Sequence, residues 1–258
     1  MAACWETSAA EPDFSRYTDD DMEKFLKSAQ IVSVKEIGHG VTKPLRAEMT
    51  LGDTKHSAQI QTIDKDLPDF FGAEGKPVPM KDSWRFNVAA YKIDRLLDIK
   101  MVAVAVARPY KNKPAAFSWW VDDVQFEEVD RIKQGLQAPD PEKFERQRAV
   151  SKVFDELIIN IDRNLSNLLI TKSWDLVLID HSRSFTPYHG IRNTENLTRC
   201  SRRLLEKMKS MTASDVSRAV GPHLTQAEIR AMMARRDRIV EYFAKAVQEK
   251  GDENILFS

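Results

Sequence analysis

Hydrophobic and polar positions set out short alternating runs early in the chain and helical stripes later. A helix is predicted over residues 18–29. Thr18 is placed to cap it, Asp19, Asp20 and Asp21 suit its positive end, and Met22, Phe25 and Leu26 form its apolar stripe. Residues 31–37 alternate and read as a strand broken at Gly38-His39-Gly40. A second strand over 45–51, a turn at Gly52-Asp53 and a third strand over 57–63 follow. Residues 64–83, rich in Pro, Gly and charge, predict a long connection without an element of its own, with Phe70 and Phe71 as its anchors. Phe86, Ala89, Ala90, Ile93, Leu96 and Leu97 mark one face of a helix over 84–97. Strands over 101–107 and 115–121 precede a polar stretch, 122–141. Asp140 then caps a helix with Pro141 at its first position, running to about residue 159 along Phe144, Val150, Val153, Phe154, Leu157 and Ile158.

Beyond that helix, Leu168-Leu169-Ile170 and Leu176-Val177-Leu178-Ile179 flank the polar Lys172-Ser173-Trp174-Asp175, the pattern of a β-hairpin. Helices close the chain. Leu204, Leu205, Met208 and Met211 form one stripe, and Thr212 with Asp215 and Thr225 with Glu228 have capping-box spacing. The apolar tail at Ile255, Leu256 and Phe257 is expected to dock on the body. Strands first and helices last predict an α+β fold.

Composition narrows the class. The chain has 258 residues, 30% of them charged, with a formal net charge of zero. That length supports a sizeable core, and the balance gives no electrostatic case for nucleic acid. Cysteine occurs twice, at Cys4 and Cys200, without a C-x-x-C pair, which fits a reducing, cytoplasmic setting. The first residues lack the basic start and apolar stretch of a signal peptide, and no apolar run approaches the roughly 20 residues of a membrane span.

The chemistry concentrates in residues 160–185. Asp162 is followed five positions on by Asn167 and thirteen further on by Asp180. The hairpin between Asn167 and Asp180 brings those two together, because a hairpin closes its outer ends. Two hard oxygen donors beside a further carboxylate suit a phosphoryl-transfer site. Asn167 and Asp180 can hold Mg²⁺, with nucleotide phosphates completing its shell, and Asp162 can act as the base on an attacking hydroxyl. Asp180-His181-Ser182 does not make a hydrolytic triad, since adjacent residues cannot form that relay.

The order D-x-x-x-x-N, hairpin, D resembles the catalytic loop and metal-binding Asp of the protein kinases. In detail, Asp162-Arg163-Asn164-Leu165-Ser166-Asn167 and Ile179-Asp180 resemble the phosphoinositide 3-/4-kinases, whose pattern is D-R-H-x-x-N and I-D; Asn164 replaces their His. HipA-like and Fam20-type kinases are more distant relatives of the pattern. The resemblance implies a two-lobed fold with a small antiparallel β lobe and a larger helical lobe. The divisions would be a leader and helix over 1–30, an N-lobe over 31–121 and a C-lobe over 122–258. It further implies an ATP- and Mg²⁺-dependent phosphotransferase whose hydroxyl acceptor the sequence does not specify. The Gly38–Lys43 turn, with Gly38 and Gly40, would cover the phosphates, and Trp120, at the hinge over residues 118–122, would border adenine or pack in the core.

Two positions depart from that family. Its third strand carries a phosphate-holding Lys and the next helix a partner Glu; here Gln61 and Asn87 stand at the matching places. Three readings follow. The protein is catalytically inactive, or the N-terminal half matches in another register, or the two amides pair while another cation holds phosphate. Lys43, at the entry to the second strand, and Arg46, two residues into it, are the candidates for that cation. A kinase-like binding module and a nucleotidyl transferase with the nucleotide reversed are the alternative functions.

Overall fold

Alternation leaves each early strand with one apolar side to bury, and the computed structural model, which describes residues 17–38, 44–71 and 75–258, stacks those sides on a common core. Helix α1 (Asp19–Ser28) starts with reciprocal caps: Thr18 Oγ1 accepts from the Asp21 amide at 3.2 Å, and the Asp21 carboxylate accepts from the Thr18 amide at 3.1 Å. Strands β1 (Gln30–Glu36), β2 (Leu45–Leu51) and β3 (Thr54–Gln61) form an antiparallel meander. Ala47, Met49, Ala58 and Ile60 face the core, whereas Arg46 and Gln59, partners across the ladder, share the opposite face.

Residues 64–83 correct the expectation of a connection without structure. They form a hairpin, β4 (Asp64–Phe71) and β5 (Pro77–Ser83), which makes a two-stranded sheet of its own. Prolines are tolerated there because both strands are edges, and the register shifts between Leu67 and Phe70, around Pro68. Phe71 is 65% exposed and so does not anchor the segment; the side chain of Phe70 lies outside the described residues. The hairpin is tied down at its end instead. Asp82 and Ser83 are fully buried, and the Ser83 amide donates to the Ser182 carbonyl at 2.8 Å.

Helix α2 (Trp84–Leu96) follows. Strands β6 (Ala105–Ala107) and β7 (Ala116–Trp119) complete a five-stranded sheet in the order β1-β2-β3-β7-β6. Both α1 and α2 pack on β6 and β7. Glu23 of α1 accepts from the Tyr91 hydroxyl of α2 at 3.0 Å and pairs with Lys92. Burial alone would raise its carboxyl, but hydrogen bonds from Lys27, Lys92 and Tyr91 hold it down at about 2. The strand expected over 101–107 is shorter than its apolar pattern. The buried Asp94 carboxylate takes the amides of Lys100, Met101 and Val102 at 3.0, 3.0 and 3.1 Å. Residues 101–103 then bridge to Leu178, whose amide donates to the Met101 carbonyl at 2.8 Å, joining the N-terminal sheet to the second half.

The stretch read only as polar, 122–141, contains β8 (Val124–Glu127) and α3 (Glu128–Lys133). Helix α4 (Pro141–Ile158) is capped by Asp140, which accepts from the Lys143 amide at 3.0 Å. Strands β9 (Leu168–Thr171) and β10 (Leu176–Leu178) form the expected hairpin, with β8 as the third strand on the β9 side. Next come β11 (Cys200–Ser201), α5 (Arg202–Ser210), α6 (Ala213–Val220), α7 (Gln226–Lys250), α8 (Asp252–Ile255) and β12 (Leu256–Phe257). Thr212 with Asp215 and Thr225 with Glu228 make the capping boxes their spacing predicts. The tail docks: β12 runs parallel to β11, and Phe257 is buried beneath Arg146 and Arg199.

Candidate functional site

Helix α4 stops because Ile159 turns into the left-handed region (φ 49°), and the chain then coils tightly beneath the cleft. Asn160 Oδ1 accepts from the Asp162 amide at 3.1 Å. Asn164, which stands where the phosphoinositide kinases have His, caps the turn at Leu165–Asn167 by accepting from the amides of Ser166 at 2.9 Å and Asn167 at 3.2 Å. Arg163 fastens the loop to everything around it. It pairs with Asp155 at 2.9 and 3.1 Å and donates to the carbonyls of Asn167 at 3.0 Å and Ile179 at 2.8 Å. A further N–H reaches His181 Nε2 at 2.9 Å. Burial and the charge of Arg163 push the His181 imidazole well below its ordinary value, so the ring is neutral and accepts.

The hairpin closes as its pattern predicts. The Ile179 amide donates to the Asn167 carbonyl at 3.2 Å, and both Asn167 and Asp180 line a cleft of about 520 Å³. Asp162 lines it too, with 48% of its side chain exposed. Asp180 has a φ of 51°, a left-handed conformation that Asp tolerates better than most residues.

Above the loop, β3 and α2 meet through neutral groups. Asn87 Nδ2 donates to Gln61 Oε1, and Asn87 Oδ1 accepts from the His181 amide at 2.8 Å. Both amide side chains are buried. The relay therefore ties β3 and α2 to the residue after Asp180, as the amide-pairing reading expects. Gln61 Nε2 is left buried without an acceptor among the described residues.

Trp120 lines the cleft beside Val121, and the Arg46 guanidinium lies 4.2 Å from its ring centroid. Arg46 also donates to Ser57 Oγ at 3.1 Å. Trp119 is only 7% exposed and stacks on His56 at 3.6 Å, so it serves chiefly the core. Ile37 and Pro44 line the cleft and are joined by a 2.9 Å backbone bond, the Ile37 amide donating to the Pro44 carbonyl. Gly38 sits next to that bond; Gly40 and Lys43 lie outside the described residues.

The sequence pattern did not single out Arg183, which lines the cleft. Its Nε donates to the buried Asp82 at 2.9 Å and its Nη1 to Asp162 at 3.0 Å. The bond to Asp82 raises its pKa against the effect of burial, and the charges of Asp82, Asp162 and Asp180 add to the rise. Asp82 was hidden inside the supposed loop, so no local pattern announced the pair.

The donor set fits a divalent ion shared with phosphates. Asn167 and Asp180 supply hard oxygens, too few for a complete protein cage, and among the described residues no cluster of three or more metal-binding side chains occurs. The buried N–H of Gln61, on the same face of β3 as the cleft-lining Gln59, is a donor still lacking an acceptor.

No protein-family model matches the sequence, and no curated protein sequence does. Solved structures do match. A hydra Fam20 structure determined with sugar superposes with a TM-score of 0.69 at 13% identity, covering 93% of each chain. The Golgi casein kinase with Mn and ADP bound gives 0.65 at 10% identity, covering 92% of this chain and 78% of the other. The Helicobacter pylori proinflammatory kinase CtkA gives 0.55 at 10%, covering 86% and 98%. The chain therefore has the two-lobed α+β fold of the atypical kinases. Among the described residues, no helix is long and apolar enough to cross a membrane.

Proposed function

We propose that the protein is an ATP-dependent phosphotransferase acting on a hydroxyl group, with a divalent ion, Mg²⁺ in the cell, as cofactor. The observation that carries this reading is the convergence of Asp162, Asn167 and Asp180 on one cleft in a kinase-like fold. One neighbour of the same fold binds Mn and ADP, which supports nucleotide with a divalent metal here. The lobes would divide near residues 121 and 122, and the buried free thiol of Cys200 accords with a cytoplasmic setting.

In this reading Asn167 and Asp180 hold the metal, which would neutralise phosphate charge. Asp162 orients the acceptor hydroxyl and accepts its proton as that oxygen takes the γ-phosphoryl group from ATP. Trp120 offers a face to adenine, and Gln61 offers its spare N–H to a phosphate oxygen. The Gly38–Gly40 turn and Lys43 would close over the phosphates. The neutral Gln61–Asn87 pair favours a second reading, a nucleotide-binding module without turnover.

Incubation with γ-labelled ATP separates them. Wild type should release or transfer label, and Asp162→Ala should lower that rate by about 100-fold or more while nucleotide binding persists. Equal turnover by the two proteins would sink the role of Asp162. Nucleotide binding with no turnover in either would favour the binding module.

A further inference from the structure

Resting on the nucleotide reading, we infer that Arg183 is the cation that receives the terminal phosphate of the nucleotide, in place of the missing strand lysine. Among the described residues that line the cleft, the carboxylates are Glu127, Asp162 and Asp180, and Arg183 is the only cationic side chain. The place where kinases keep a Lys is filled by Gln61, whose neighbour Asn87 is also uncharged. Among the described residues, a triphosphate entering this cleft therefore meets one cationic side chain on its lining, and that group touches Asp162.

Its mounting suits the task. Asp82 is 0% exposed, and its only hydrogen bond to a side chain among the described residues is the 2.9 Å contact from Arg183 Nε. Its second oxygen has no partner among the described residues. Moving the guanidinium away would leave a buried, uncompensated carboxylate, so Nε stays fixed. The Nη edge is the part that faces the cleft, and there it rests on Asp162 at 3.0 Å. A planar guanidinium with one edge anchored presents its remaining N–H groups in a fixed fork, the geometry that matches phosphate oxygens. With the guanidinium held at Nε, the arriving terminal phosphate takes the place at Nη of the Asp162 carboxylate, whose side chain is 48% exposed and turns away. Asp162 is then released to take the acceptor's proton, so the same side chain masks the base in the free protein and unmasks it when the triphosphate is present.

The test compares affinities by calorimetry for Mn–ADP and for Mn with a non-hydrolysable ATP analogue, in wild type and Arg183→Gln. Wild type should prefer the triphosphate. Arg183→Gln should lose that preference by about 10- to 100-fold, the scale of a charged hydrogen bond, with ADP affinity nearly unchanged. A wild type without triphosphate preference, a variant that keeps the preference, or one that loses both ligands equally overturns the inference while leaving the cleft a nucleotide site. A wild type that binds neither ligand overturns the nucleotide reading itself. Because the variant leaves Asp82 without its cation and can fail to fold, wild type is also labelled with an arginine-selective dicarbonyl and mapped by mass spectrometry. Arg183 should be protected by the triphosphate analogue and not by ADP; equal protection, or none, counts against the proposal.

Discussion

The floor of the cleft, from Asp162 to Asp180, is held by a charged residue, whereas the roof, the buried junction of β3 and α2 next to the cleft-lining Gln59, is held by amides. Arg163 binds Asp155, two carbonyls and His181 below. Above, Gln61 and Asn87 pair with each other and with the backbone of His181. The difference separates two jobs that an ion pair between β3 and α2 would combine. In the proposed reading, metal and proton chemistry falls to Asp162, Asn167 and Asp180 of the floor, while phosphate and α2 would each need holding above it. Holding α2 against the residue after Asp180 needs only satisfied hydrogen bonds, and a buried neutral relay supplies them without the desolvation cost of two charges. The phosphate cation is then free to come from another element, and Arg183 is the side chain so placed.

The comparison breaks most visibly at the floor. Arg163→Ala strands Asp155, of which 13% is exposed, and removes a donor from two carbonyls; stability should fall by about 3–5 kcal/mol in denaturant unfolding. A loss below about 1 kcal/mol would show that the loop does not depend on its charged hub. At the roof, Gln61→Lys places a cation beside a neutral amide and should cost about 1–3 kcal/mol. Adding Asn87→Glu should recover part of that loss, giving a coupling energy of about 0.5–3 kcal/mol in a double-mutant cycle. Strict additivity would mean that the two sites do not communicate.

His181 sits between floor and roof and makes the contrast depend on pH. Its folded pKa lies well below 6.5, so the unfolded chain takes up a proton that the native ring refuses. Stability from this group is fully present above about pH 6.5 and is lost as pH falls toward the folded value, by up to about 1.4 kcal/mol per pH unit. Replacement by Asn should flatten the slope of unfolding free energy against pH in that window; an unchanged slope would contradict the buried neutral ring. The smallest effect is expected at Asn164→Ala, where loss of one cap should cost about 1 kcal/mol. Thermal unfolding of that variant checks it.

The hairpin of the floor was legible because its contacts are local, whereas the Arg163 hub, which reaches as far as His181, was not. The hairpin joins positions a few residues apart, and Thr18, Thr212 and Thr225 reach only to the next turn of their own helices; the cap at Asn164, read only as a replaced His, was missed though it spans three residues. The amide pair was legible for another reason: two departures from one family pattern fell at matching positions. Arg183 was not, since its partner Asp82 lies 101 residues away and carries no periodic signal. The hairpin over 64–83 was obscured by Pro68, Pro77 and Pro79 and by the exposed Phe71, because strands that pair chiefly with each other need no apolar alternation. The strand expected at 101–107 was cut short by Asp94, whose buried carboxylate captures the amides at its start.

The most direct test of the central claim, that Asn167 and Asp180 form a divalent-metal and nucleotide site, is a thermal-shift titration with ATP, with and without Mg²⁺, on wild type and Asp180→Ala. Wild type should gain about 2.7 kcal/mol at a hundredfold excess of ATP over Kd, only when Mg²⁺ is present, and Asp180→Ala should gain nothing. An equal Mg²⁺-dependent shift in Asp180→Ala, or no shift in wild type, would contradict the account.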